Sequence, residues 1–189
     1  MNNEIKLVLI NGTKDEERPG NALVKWVADV LAQRAEFEPW LIEPASLIDR
    51  SDNAAATQRQ EGLRHLAEAD AFLIITSEQS NVCRSELKAF IDQVSVRWHA
   101  RPVAFIGYGG ASGGLCAIDQ LRQILAGQHA VPICNFLSFP DPWAFIDGAG
   151  VMRQPDQARL PMARMLVQLN WWARALKAAR EKMPYERVS

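Results

Sequence analysis

Cysteine is scarce and poorly spaced for chemistry of its own. Cys83, Cys116 and Cys134 are an odd number of widely separated thiols with no C-x-x-C among them, which argues against a disulfide framework or a zinc site. Histidine is equally sparse: His65, His99 and His129 share no metal-ligand spacing and are expected at the surface or in satisfied core positions. An excess of either charge is missing too, because 21 basic and 22 acidic residues leave a net charge of −1. That balance gives no reason to expect nucleic acid or an anionic membrane as the partner, so any anion site must be local. No long hydrophobic run occurs at the amino terminus. MNNEIKLVLI has no basic flank and no cleavage-site pattern, and its apolar stretch is too short for a signal core or a membrane span, so a cytoplasmic protein is expected. Internal repeats, low-complexity tracts and linkers are absent as well.

What remains is a chain of 189 residues with 48% hydrophobic content, suited to one compact α/β domain over residues 1–189. Its most informative stretch is residues 71–94, AFLIITSEQSNVCRSELKAFIDQV. Five apolar residues lead into a polar loop, after which Leu87, Phe90, Ile91 and Val94 return at helical spacing. A buried strand, a loop and an amphipathic helix in that order describe how an open parallel sheet presents a ligand-binding loop at its carboxyl edge.

The same unit recurs along the chain. Residues 5–10 form an apolar run broken only by Lys6, followed by Asn11-Gly12-Thr13 and a helix from about Asn21 whose face is Leu23, Trp26, Val27, Val30 and Leu31. A strand, a glycine turn and a helix opening are the parts of a phosphate cradle. Residues 37–43 read as a second strand, 44–57 as a polar connection, and 58–69 as a helix with Leu63 and Leu66 inward. Residues 102–107 are a fourth strand entering Gly107-Tyr108-Gly109-Gly110-Ala111-Ser112-Gly113-Gly114. A helix carrying Ile118, Leu121, Ile124 and Leu125 and a fifth strand at 130–134 come next. Residues 137–161 are expected to wrap the surface, and a last helix over 156–181 to bury Met165, Leu166, Leu169, Trp172 and Leu176. Strands alternating with helices five times predict a flavodoxin-like, doubly wound, five-stranded parallel sheet in the order 2-1-3-4-5, layered α/β/α.

Three segments carry a family resemblance. Thr76-Ser77-Glu78 followed by Leu87-Lys88-Ala89-Phe90-Ile91-Asp92 resembles T-P-E-Y-N…P-x-x-L-K-N-A-[IL]-D of the NADPH-dependent FMN reductases. Ser77, Gln79, Ser80 and Arg84 stand where that family usually has Pro, Tyr, Asn and Pro. Gly109-Gly110-x-x-Gly113-Gly114 with Gln120-Leu121-Arg122-Gln123-Ile124-Leu125 is similar to its S-x-G-x-x-G-G and E-Q-L-R-x-[IV]-L segments. Trp171-Trp172-Ala173-Arg174-Ala175-Leu176-Lys177 resembles a W-W-x-x-A-L-K ending found in many members.

The resemblance implies an FMN-dependent oxidoreductase with NADPH or NADH as reductant and a small acceptor such as free flavin, a quinone or another xenobiotic. It places Gly12, Thr13, Lys14, Arg18 and Asn21 at the FMN phosphate. Glu78, Gln79, Ser80 and Asn81, with Gly109, Gly110, Ser112, Gly113 and Gly114, are placed around the ring. No protein residue is assigned a catalytic role, because the flavin carries the chemistry.

Two of these loops depart from the pattern. The first continues Asp15-Glu16-Glu17, and a carboxylate ~6 Å from a phosphate charge costs roughly 2–3 kcal/mol at an effective dielectric of 20, against about 0.3–1 kcal/mol returned by a helix dipole. Either the three acids face solvent, or the loop is a solvated cap of the first helix through Asn21. In the second, Gln79 cannot stack as an aromatic does, a loss on the order of 0.5–1.5 kcal/mol. Glu78 is expected to be structural, and Cys83 to be unreactive.

Two other classes compete. A flavodoxin-like binding or assembly module that has lost tight flavin binding accounts for the acidic loop and the altered residues. A phosphoacceptor receiver domain shares the sheet order but needs acids after strand 1 and an Asp ending strand 3, where this chain has Asn11-Gly12 and Thr76-Ser77. Family members commonly pair through the helix after strand 3, and Phe90, Val94, Val96 and Trp98 give that segment surplus apolar character, so a homodimer or homotetramer is expected.

Overall fold

A computed structural model describes residues 4–13, 18–48, 56–78, 82–147, 149–153 and 156–187, with Arg18 in its backbone alone. Five strands, β1 (Ile5–Gly12), β2 (Phe37–Ile42), β3 (Ala71–Ser77), β4 (Pro102–Tyr108) and β5 (Val131–Phe139), form one parallel sheet in the order β2-β1-β3-β4-β5. Every residue of β3 and β4 is buried, as the continuous apolar runs of a doubly covered sheet require.

The two faces of the sheet separate by strand parity. Leu7, Leu9, Leu73, Ile75, Ala104 and Ile106 pack against α1 (Arg18–Ala32) and α6 (Asp156–Lys182), through Leu23, Val27, Met165, Leu166 and Leu169. Val8, Ile10, Phe72, Ile74, Val103 and Phe105 pack on the other side. Their cover is α2 (Pro44–Ile48), α3 (Ala56–Glu68), α4 (Ser85–Gln93) and α5 (Leu115–Gly127). The result is the three-layer flavodoxin-like arrangement expected from the alternation of elements.

At the amino ends of the strands the layers are tied by charge. The buried Asp70 carboxylate accepts Lys177 Nζ at 2.7 Å, Arg180 Nη2 at 3.3 Å and the Lys6 amide at 3.2 Å, locking the end of α6 to the sheet. Arg101 donates to the Ala67, Ala69, Arg97 and His99 carbonyls and so caps the end of α3. Burial and the neighbouring Arg180 push the Arg101 guanidinium down to about 10, which leaves it charged at neutral pH.

Several expectations need correction. α1 begins at Arg18 rather than Asn21, because Pro19 is compatible with a first helical turn and extends it backwards. Asn21 therefore lies inside the helix and is not its cap. A short helix, α2, occupies part of the expected polar connection; Asp49, Ser51, Asp52 and Asn53 lie outside the described residues. Leu63 is 41% exposed while Leu66 is fully buried. In its place Gly62 faces α2, where an added Cβ would lie 2.7 Å from Leu47 Cδ2.

β5 runs on to Phe139, with its register against β4 shifted between Val103 and Phe105, so Leu137 and Phe139 belong to the sheet and not to a surface wrap. On α6, Trp172 and Leu176 are half-buried and Ala173 takes the inner position. Finally, Phe90, Val94 and Trp98 are buried in the chain's own core and only Val96 is exposed. The surplus that pointed to pairing through α4 is spent internally; Trp98 even donates its indole N–H to the Ile91 carbonyl at 3.0 Å.

Candidate functional site

In the order β2-β1-β3-β4-β5 the chain reverses direction between β1 and β3, and the crevice outside the carboxyl ends of those strands is where such sheets bind ligands. Three loops reach it: those after β1, β3 and β4.

The turn after β1 is built by Asn11, a residue the sequence reading passed over. Its buried side chain accepts the Thr13 amide at 3.1 Å and the Thr13 hydroxyl at 2.6 Å, and donates to Glu43 Oε1 at 2.9 Å. This is a side-chain-stabilised turn of the Asx kind. Both donors of Thr13 are engaged by it, so Thr13 shapes the turn. Gly12 packs under the loop: a Cβ there would meet the Ile75 carbonyl and Leu87 at 2.7 Å.

Gly20 admits a close approach of α1, since a Cβ at that position would lie 2.6 Å from Thr13 Cβ and 2.7 Å from the Tyr108 hydroxyl. The first turn of α1 carries no acidic residue, so its backbone amides and positive dipole end open beside Thr13 without a carboxylate of their own. Asn21 is exposed on that turn. Lys14 and the acids Asp15, Glu16 and Glu17 lie outside the described residues, as does the Arg18 side chain.

The loops after β3 and β4 are fastened together. Glu78 donates its amide to the Tyr108 carbonyl at 3.0 Å. Its Oε2 accepts Ser112 Oγ at 2.6 Å and the Cys116 amide at 3.1 Å. Cys116 is the second residue of α5, so this carboxylate sits at a helix amino terminus, where its charge is favoured. The structural role expected of Glu78 is therefore a local one, within the same chain. Gln79, Ser80 and Asn81 lie outside the described residues.

Four glycines give the β4–α5 loop its path, with φ of 139° at Gly109, 26° at Gly110, 64° at Gly113 and 86° at Gly114, all in the region that L side chains rarely adopt. Gly113 and Gly114 are packing positions. A Cβ on Gly113 would lie 2.8 Å from the Pro140 nitrogen, and one on Gly114 2.5 Å from the Tyr108 nitrogen. Gly110 differs, because a Cβ there would meet nothing within 4 Å. Its backbone borders open space beside the Glu78 clasp.

Two further features were not read from the sequence as part of the site. Ser77, at the carboxyl end of β3, is 3% exposed, and its hydroxyl has no hydrogen-bond partner among the described residues. Such orphaned groups are rare enough to require a reason. A cavity of about 400 Å³ opens at the carboxyl ends of β1 and β2, walled by Asn11, Thr13, Glu43, Ser46, Arg84 and Glu86. Arg84 is buried there, its Nη2 3.2 Å from Glu86 Oε1. Spacing had shown it only as a replacement for proline.

Cys83 is buried, its amide donating to Gln120 Oε1 at 2.8 Å, and burial pushes its thiol up. It has neither the exposure nor the acidity of a reactive cysteine. Among the described residues no cluster of His, Cys, Asp and Glu is arranged to hold a metal ion, and no helix is long and apolar enough to cross a membrane.

The comparisons with known proteins agree with this fold. The family model for NADPH-dependent FMN reductase matches residues 5–144. An NADPH azoreductase from Bacillus sp. (strain OY1-2) is 29% identical over 129 residues, covering 67% of this chain and 71% of that protein. An NAD(P)H-dependent FMN reductase from Schizosaccharomyces pombe is 24% identical over 130 residues, 63% of this chain and 64% of its own length. Among solved structures, a flavoenzyme NAD(P)H:(acceptor) oxidoreductase from Paracoccus denitrificans superposes with a TM-score of 0.64 at 17% identity, over 89% of this chain and 96% of that one. A flavodoxin from Pseudomonas aeruginosa gives 0.55 at 17% identity, over 90% and 98%. At such identities the structural matches speak for the fold.

Proposed function

The chain belongs to the NADPH-dependent FMN reductase family, and from that membership we propose that it passes a hydride from a reduced nicotinamide through FMN to a small acceptor. Its class is that of an oxidoreductase using FMN and NAD(P)H. The acceptor is a free flavin, a quinone or a related xenobiotic; one relative bears the name of an azoreductase, which adds azo compounds to that range. When bound, FMN supplies the redox chemistry itself, and the protein supplies position and hydrogen bonds.

The observation that carries this reading is the Glu78 clasp. It holds the β3 and β4 loops at a fixed separation on one edge of the sheet, with the Gly110 backbone facing open space. A flat ring needs such an approach, which a side chain at Gly110 would obstruct. The acid-free first turn of α1 suits a phosphate, with Gly12 and Thr13 shaping the turn and Lys14, Arg18 and Asn21 supplying side chains. Glu78, Ser112, Gly109, Gly113 and Gly114 set the frame of the ring site, and Gln79, Ser80 and Asn81 complete its rim. The described ones among these residues, Gly12, Thr13, Glu78, Ser112 and the loop glycines, fit the group. One sheet with both faces covered supports a single domain, and a cytoplasmic homo-oligomer remains part of the proposal.

Titration of purified protein with FMN, followed by flavin fluorescence, tests the reading. Saturable binding, bleaching of the visible flavin band by NADPH or NADH, and turnover with an added acceptor are expected. Protein that leaves FMN fluorescence unchanged at high micromolar concentration would instead be a flavodoxin-like binding or assembly module.

A further inference from the structure

We propose that the Ser77 hydroxyl is a phosphate ligand, donating its proton to the monoester of FMN at the amino end of α1. This rests on the FMN reading above and adds to it a residue that the family resemblance marks only as a replacement for proline.

Strand register places the side chain. Gly12 of β1 pairs with Thr76, so Thr13 follows beside Ser77, and Ser77 itself pairs with Tyr108 of β4. Leu73, Ile75 and Tyr108 belong to the core on the α1 and α6 side of the sheet, and alternation along β3 turns Ser77 to that same side. Thr13, Ser77 and Tyr108 therefore form a row across three strand ends. Both outer members of the row touch α1 at Gly20, where a Cβ would lie 2.6 Å from Thr13 Cβ and 2.7 Å from the Tyr108 hydroxyl. Ser77, between them, is aimed at the first turn of α1.

A helix end by itself attracts anions without fixing where they sit. The hydroxyls at these strand ends supply the distinction. Thr13 spends its proton on Asn11 Oδ1 at 2.6 Å, and Thr76 spends its own on the Ser77 carbonyl at 3.2 Å. The Ser77 proton has no recipient among the described residues, although the side chain is 97% withdrawn from solvent, its exposure being 3%. A donor kept from water at the positive end of a helix is unfavourable until an anion accepts from it, and the bond then formed is charge-assisted. The first turn of α1 has no acidic residue to play that part. Of the groups in FMN, the phosphate brings the charge that this pocket of donors lacks, whereas the ribityl hydroxyls and the ring are neutral. Serine in place of the family's proline is thus a compensation: with the Thr13 hydroxyl committed to its own turn, the neighbouring strand provides the proton.

Titrations of the parent, Ser77→Ala and Ser77→Cys with FMN and with riboflavin, followed by flavin fluorescence, test this. Both variants are expected to raise the dissociation constant for FMN about tenfold, the loss of one hydrogen bond to a charged group, and to leave that for riboflavin within about twofold. Cysteine keeps the volume and is a poor donor, so it separates the proton from the packing. Inorganic phosphate at millimolar concentration is expected to raise the Tm of the parent and not that of either variant. A Ser77→Ala protein that binds FMN as the parent does overturns the proposal and leaves the flavin reading intact. Equal weakening of FMN and riboflavin also overturns it, because the hydroxyl would then act on the ring, the ribityl chain or the fold. In a parent that takes up neither flavin, the phosphate series decides alone. A Tm rise confined to the parent keeps Ser77 as an anion ligand and discards the flavin reading, and a rise shared by all three proteins, or absent from all, discards both.

Discussion

A serine hydroxyl sealed away from water with no partner among the described residues, as at Ser77, costs the fold about 1–3 kcal/mol. In FMN-free protein, Ser77→Ala is expected to raise the unfolding free energy in urea by about 1 kcal/mol; a loss of stability would reveal a partner for that hydroxyl. Glu78 and Ser112 behave in the opposite way, because their 2.6 Å hydrogen bond is charge-assisted and joins two loops. Glu78→Gln and Ser112→Ala should each weaken FMN binding, and their double-mutant cycle should show coupling of about 1–2 kcal/mol. Additive effects would mean that the clasp does not hold the site. Cys83 supplies a pH dependence. Burial raises its folded-state value above the ordinary 9.0, so on alkalinisation the unfolded chain releases this proton first. Stability attributable to Cys83 is therefore intact below pH 9 and declines above it. Substitution by Ala should flatten that limb of the curve, and iodoacetamide at pH 8 should label Cys116 and Cys134, which are exposed, well before Cys83.

Asp70 shows how one carboxylate governs a whole element. It receives Lys177 and Arg180 of α6 and the Lys6 amide of β1, while Arg101 lies buried nearby. Asp70→Asn would leave several cations without their counter-charge, at a cost of about 3–5 kcal/mol. Urea unfolding should register that loss, with the carboxyl-terminal turns of α6 losing amide protection first. The elements themselves were legible wherever periodicity had one solution. β3 and β4 read as strands because an unbroken apolar run of that length fits a doubly covered sheet, and the inner face of α1 followed from its spacing. Leu63 was misread because Leu63 and Leu66 satisfy a helical period as well as Gly62 and Leu66 do. The choice between them depends on α2, whose Leu47 fills the space over Gly62, and a five-residue helix leaves almost no periodic trace. The candidate site divides in the same way. The glycine loop was visible because positive φ demands glycine, whereas Asn11, Tyr108, Ser77 and Arg84 matter through contacts between distant segments that spacing does not encode.

At the level of the whole molecule, both sheet edges are guarded. β2 carries Pro39, and the exposed middle of β5 has its Asn135 amide bonded to Gln168 Oε1 of α6 at 2.9 Å, so strand-to-strand association is discouraged. FMN that binds only the folded chain adds RT ln(1 + [L]/Kd), about 2.7 kcal/mol at a hundred times its dissociation constant. For a domain of this length each kcal/mol moves Tm by about 2–4 °C, so a rise of about 5–10 °C is expected. A thermal scan with and without FMN checks this, and an unshifted Tm at a hundredfold excess over the expected dissociation constant would discard the flavin site and leave the fold.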